Sequence, residues 1–156
     1  LRCTRPKTPV FTTPETPFTI GRAEVLWEGE QPEVAILAAG PILFSALRAA
    51  RALHTDGVSV RVLNMHSIKP MDVEAVKRAA AECGAIVTAE DHQILGGLGG
   101  TVAEVLTQNT PVPQEMVAVH DRFGQSGEPD ELLAEYHLTT QDIVQAVLRA
   151  RERKGV

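Results

Sequence analysis

Glu90, Asp91 and His92 stand together at the end of a short apolar run, and glycines follow at Gly96, Gly97, Gly99 and Gly100. A carboxylate beside an imidazole can bring the imidazole's pKa near neutrality, so this group has the residue types of general acid–base catalysis. Two other readings fit the same residues. Acids near a helix amino end offset its dipole while His92 bonds to loop backbone, or the loop is a contact at a subunit interface. The glycines do not complete a dinucleotide fingerprint. After Gly97 and Gly99 the third glycine position is taken by Val102, and the fingerprint belongs on the first crossover, where Gly40 stands alone before Pro41. With no Gly-Lys-Ser/Thr following, a phosphate-cradling P-loop is excluded. What remains is a helix start whose Gly96 and Gly97 leave backbone N–H groups open to an anion or to a neighbouring chain, or simply close packing of helix on sheet.

Other chemistry-bearing residues are more scattered. Ser126 lies in Phe123-Gly-Gln-Ser-Gly127, one residue short of the G-x-S-x-G elbow of hydrolases. It reads as a loop with glycine freedom leading into a helix near Pro129. His54, His66, His92, His120 and His137 with Cys3 and Cys83 include no i, i+4 pair and no Cys-x-x-Cys, so no metal site is expected.

These residues need a scaffold, and the chain alternates strand and helix signals. Strand-type runs cover 23–27, 33–38, 58–63, 85–89 and 116–120. The first two are joined by residues 28–32, which read as a hairpin. Helices are expected from Pro41 to Gly57, from Pro70 to Cys83, over 101–109 and 129–136, and over 139–153 with Thr139 or Thr140 as cap. Residues 85–89 form a continuous apolar run and should be a central strand buried on both faces. Alternation of this kind means right-handed crossovers and a largely parallel sheet. Residues 1–22 are different: Pro6, Pro9, Pro14 and Pro17 punctuate a Thr-rich arm, in which only 1–4 or 10–12 could form a short edge strand.

At 156 residues the chain suits one domain with a real core. Hydrophobic content of 44% with only 4% aromatic gives that core to Ala, Val, Leu and Ile. A formal charge of −5 argues against a nucleic-acid or acidic-membrane partner. No apolar run approaches the roughly 20 residues that span a bilayer. Two isolated cysteines fit a reducing cytoplasm.

Taken in order, several segments resemble the carboxy-terminal domain of transketolase, and most closely the carboxy-terminal subunit of split transketolases. They are Ile20-Gly-Arg-Ala-Glu-Val-Leu26 with Glu28-Gly29, residues 34–40, Ile68-Lys-Pro-Met-Asp72, Glu90-Asp-His92, Gly96-Gly-Leu-Gly99, and Asp121-Arg-Phe-Gly-Gln-Ser-Gly-Glu-Pro129 with Leu132-Leu133. The resemblance spans nearly the whole chain. It implies a three-layer α/β/α sandwich with a five-stranded mixed sheet, mostly parallel with one antiparallel edge strand. It further implies that residues 23–156 form the carboxy-terminal domain and that 1–22 are a linker or the end of a preceding pyrimidine-binding domain. The complete enzyme would use thiamine diphosphate and magnesium to move a two-carbon ketol unit between sugar phosphates. Thr4-Arg5 matches the family's Ser-Arg pair, so Arg5 would hold the sugar phosphate, and only in that complete enzyme.

The expectation is therefore a carboxy-terminal domain or subunit that is inactive alone, binds no cofactor alone and has no catalytic residue of its own. Its part would be assembly, as a homodimer or with the amino-terminal transketolase domains or subunit. Glu90, Asp91, His92, Gly96, Gly97 and Ser126 are the interface or anion-binding candidates. The alternatives are a stand-alone anion-binding or regulatory module, or the corresponding domain of a 2-oxo acid dehydrogenase beta chain or deoxyxylulose-phosphate synthase.

Overall fold

Ten elements follow one another in residues 7–155, the part of the chain that the structure, a computed structural model, describes. They are β1 (Glu24–Glu28), β2 (Val34–Ala39), α1 (Ile42–Thr55), β3 (Val60–Asn64), α2 (Val73–Cys83), β4 (Ile86–Gln93), α3 (Leu98–Gln108), β5 (Gln114–Val119), α4 (Pro129–Glu135) and α5 (Thr140–Lys154). The strands form one sheet in the order β1-β3-β2-β4-β5. Every neighbouring pair is parallel except β1 with β3, so β1 is the antiparallel edge strand.

The apolar runs of β2 and β4 are continuous because each face of the sheet has its own helical layer. In β2, Val34, Ile36 and Ala38 join Val87 and Ala89 of β4 in a core beneath α1 and α5. The alternate residues Ala35, Leu37 and Ile86 pack with α2 and α3 in a second core. Val87 is fully buried, and β4 is hydrogen-bonded on both edges, as the run at 85–89 led one to expect.

The expected hairpin between the first two strands does not form. β3 lies between them, and β1 pairs with β3 in a register that sets Glu28 opposite Arg61. The Arg61 guanidinium donates to both Glu28 oxygens, at 2.7 and 2.8 Å, and to Glu82 of α2 at 2.5 Å. Residues 29–33 cross the start of β3, with Gly29 N–H donating to Val60 O and Glu33 N–H to Ser59 O, both at 2.9 Å. A side chain at Gly29 would collide with Ser59 and with the Val60 carbonyl. The glycine thus serves a crossing rather than a tight turn.

Three other details shift. β4 runs on to Gln93 and α3 starts at Leu98, so Glu90, Asp91 and His92 are strand residues and Gly99 is helical. Residues 10–12 form no strand, and 1–4, with Cys3 and Arg5, lie outside the described residues. α2 begins after Pro70, capped by Asp72, whose carboxylate accepts from Ala75 N–H at 3.0 Å. Thr139 caps α5 in a reciprocal pair with Asp142, and Pro129 opens α4 behind Glu128.

Candidate functional site

The loop after β2 leads to α1 on one face of the sheet, and the loop after β4 leads to α3 on the other. The carboxyl ends of these two neighbouring strands therefore part, leaving the crevice in which open α/β sheets bind ligands or partners. A cleft of about 440 Å³ occupies it, lined by Gly40 and Pro41 after β2, Met65, His66 and Ile68 after β3, and Glu90, His92, Gly96 and Gly97 from β4 to α3.

Glu90 is only 3% exposed, and its charge is already used. One carboxylate oxygen accepts from Leu98 N–H at 2.8 Å and the other from Gly99 N–H at 2.9 Å. These are orphan donors at the start of α3, whose own cap residue, Gly97, has no side chain to satisfy them. The strand thus supplies the helix with its cap from eight residues upstream, where charge and dipole also match. A Cβ on Gly97 would fall on the Glu90 carboxylate, and one on Gly99 would come within 2.9 Å of Met116 Sδ and 3.0 Å of Thr88 Oγ1. Of the two glycines, one makes room for the carboxylate and the other lets α3 lie against β4 and β5. An anion arriving from outside would meet the Glu90 carboxylate first, so the geometry weighs against phosphate capture at this helix start.

His92, two residues on along the strand, is exposed and also lines the cleft. Asp91 faces the other way, toward Gly40, where a Cβ would stand 3.2 Å from its Oδ1. Ser126 is exposed in the loop after β5 and does not line the cleft. The described residues include no group of three or more His, Cys, Asp and Glu placed to hold a metal ion. Cys83, the last residue of α2, is fully buried and away from the cleft, and burial pushes its thiol up to about 11.

His66 is the cleft residue that motif reasoning passed over, because it belongs to no pattern and reaches the site only through the end of β3. Its Nε2 lies 3.0 Å from Thr19 O. A carbonyl only accepts, so Nε2 carries the proton. The ring also packs on Phe18 with centroids 4.5 Å apart. Together with the bond from Ala23 N–H to Asp72 at 2.9 Å, this fixes the proline-rich arm across the carboxyl end of the sheet.

Comparison with known proteins bears on what such a site serves. The family model described as "Transketolase, C-terminal domain" matches residues 21–143. The chain belongs to that family. Among curated relatives of this transketolase-type domain, the 6-deoxy-6-sulfo-D-fructose transketolase subunit SqwH of Clostridium sp. (strain MSTE9) is 46% identical over 138 residues, covering 88% of this chain and 42% of the relative. A subunit of the apulose-4-phosphate transketolase of Phocaeicola vulgatus is 38% identical over 139 residues, covering 89% of this chain and 44% of the relative. A solved structure described as "Split gene transketolase, inactive beta4 tetramer" superposes with a TM-score of 0.89 at 43% identity, covering 94% of this chain and 48% of that one. The chain spans less than half the length of these relatives. Its three-layer fold with one antiparallel edge strand is that of the transketolase C-terminal domain. Among the described residues, no helix is long and apolar enough to cross a membrane.

Proposed function

We propose that this chain is the carboxy-terminal domain or subunit of a thiamine-diphosphate-dependent transketolase, and that it contributes assembly rather than chemistry. Residues 23–156 form the domain, and 1–22 lead into it from the pyrimidine-binding part. The complete enzyme transfers a two-carbon ketol unit between sugar phosphates, and Arg5 binds substrate phosphate only there. The observation that carries this reading is the likeness, at a TM-score of 0.89, to a split-gene transketolase whose beta4 tetramer is described as inactive.

The cleft supports the same reading. Its buried carboxylate is bonded to two helix N–H groups, so a diphosphate placed there would face Glu90 rather than free donors. The cleft residues do not fit thiamine diphosphate. They fit a contact: Glu90 shapes the loop, Gly96 and Gly97 keep it open, and His92 presents a polar group on it, while Asp91, turned toward Gly40, and Ser126, on the loop after β5, lie beside the cleft. Partners are a second copy, the amino-terminal transketolase subunit, or both, in the cytoplasm.

Calorimetry with thiamine diphosphate and magnesium is the direct test. No binding to the chain alone is expected, with ketol transfer appearing once the remaining transketolase domains are supplied. A micromolar dissociation constant for the chain alone, about −8 kcal/mol, would overturn the reading.

A further inference from the structure

Large apolar side chains exposed on this domain are not scattered. Six of the eight among the described residues, Phe18, Ile20, Ile68, Val73, Leu95 and Phe123, stand around the carboxyl end of the sheet, on the arm or on segments that leave β3, β4 and β5. Val25, by contrast, lies on the edge strand β1. Phe123 is 99% exposed and Leu95 69%.

Phe123 is exposed on a backbone that is held. Tyr136 Oη donates to Phe123 O at 2.8 Å, and the Arg122 guanidinium bonds Glu135 at 2.6 Å while lying 5.1 Å from the centre of the Tyr136 ring. At the same end, Gln93 fastens the exits of β4 and β5 to each other. Its Oε1 accepts from Asp121 N–H at 3.0 Å and from Ile94 N–H at 2.9 Å, and its Nε2 donates to Asp121 Oδ1 at 3.0 Å. Leu95 and Phe123 each follow this link by two residues. With the backbone held, docking costs only the ring's own side-chain freedom, so the loop is preorganised to present an aromatic anchor. An apolar collar of this kind around a cleft is the pattern of a protein contact rather than of a small-ligand site.

We infer that this collar, with Phe123 and Leu95 as anchors, is the surface on which the domain receives the part of the enzyme that precedes it in longer family members. This rests on the function proposed above. More than half of each relative's length lies outside the matched segment. Because the matching family model is that of a C-terminal domain, the function proposed above places the added length ahead of it, reaching the domain through the arm. Here that stretch lies over the same end of the sheet, pinned by His66 to Thr19 and by Asp72 to Ala23. The occupant is thus a protein surface with apolar pockets for an aromatic and a leucine side chain, and the 440 Å³ cleft between the two halves of the collar takes a side chain in return.

The test supplies the remaining transketolase domains in trans and follows association by sedimentation velocity, with ketol transfer assayed in parallel. Phe123→Ala combined with Leu95→Ala should weaken association by at least about tenfold, the scale of losing buried anchors. The thermal melt of the chain itself should not change, because neither side chain is buried in it. Val25→Ala is the control and should associate as the parent chain does. Equal association of the double variant and the parent overturns the inference, as does a parent chain that associates with nothing. Self-association of the parent that the double variant abolishes also overturns it, by making a second copy the occupant. Assembly without ketol transfer would defeat the proposed function and leave the surface standing. Ketol transfer that the double variant does not disturb would do the reverse.

Discussion

The Glu90 carboxylate occupies the space that a side chain on Gly97 would need, and from there it holds the first turn of α3. Strand end and helix start are therefore one unit. Glu90→Ala should leave two buried N–H donors without acceptors and destabilise the domain by about 2–4 kcal/mol, with Glu90→Gln losing about half as much because one acceptor oxygen remains. Gly97→Ala should cost about 1–3 kcal/mol by overpacking against the carboxylate. Urea unfolding followed by circular dichroism measures all three, and a Glu90→Ala variant as stable as the parent would show the cap to be idle.

His92 shares the cleft with Glu90 but is exposed. His92→Ala should leave the melt unchanged and weaken assembly with the remaining transketolase domains. Unchanged assembly with a large fall in turnover of the reconstituted enzyme would instead make His92 a participant in the chemistry.

Val87 is fully buried in the core beneath α1 and α5, on a strand paired along both edges. Val87→Asp places an unpaired charge there, a penalty comparable with the whole stability of about 5–15 kcal/mol typical of a domain. The variant should be insoluble or lack a cooperative melt.

Burial pushes the Asp72 carboxyl up, but the N–H groups of Ala23 and Ala75, with the Arg22 and Arg78 charges, outweigh it and hold the group below its usual range. A depressed folded-state pKa contributes stability that is fully present above the unfolded value of about 3.9 and is lost as pH falls through the folded one. Asp72→Ala should therefore cost about 1 kcal/mol at pH 7, the usual loss of a helix cap, and the gap to the parent should narrow as the medium is acidified below about pH 4. Melting temperatures across an acid series would show the convergence, and parallel curves would refute it.

At the alkaline end, burial raises the Cys83 thiol from 9.0 to about 11. An acid raised in the folded state contributes stability below its unfolded pKa and loses it as pH rises between the two values. In a Cys3→Ser background, Cys83 should resist thiol reagents until the protein unfolds, and Cys83→Ala should flatten the fall in stability over that range. Rapid native labelling at neutral pH would contradict the burial.

Much of this molecule was legible in its residue order. The apolar runs of β2 and β4, the Thr139 cap and the Pro129 start of α4 are local signals, because propensity and capping act within a few residues. They sufficed for a mostly parallel sheet between two helical layers. The ordered motifs from residue 20 to residue 133 pointed further, to the transketolase carboxy-terminal family.

Three relationships were decided only by tertiary structure. β1 passes over its neighbour in sequence to pair with β3, where Arg61 meets Glu28, because strand order depends on contacts remote in the chain. His66 enters the cleft since the end of β3 lies beside the ends of β2 and β4. Glu90 reads in sequence either as an acid beside a histidine or as an acid offsetting a helix dipole, and in space it caps α3, because whether a carboxylate is free to act depends on which N–H groups surround it.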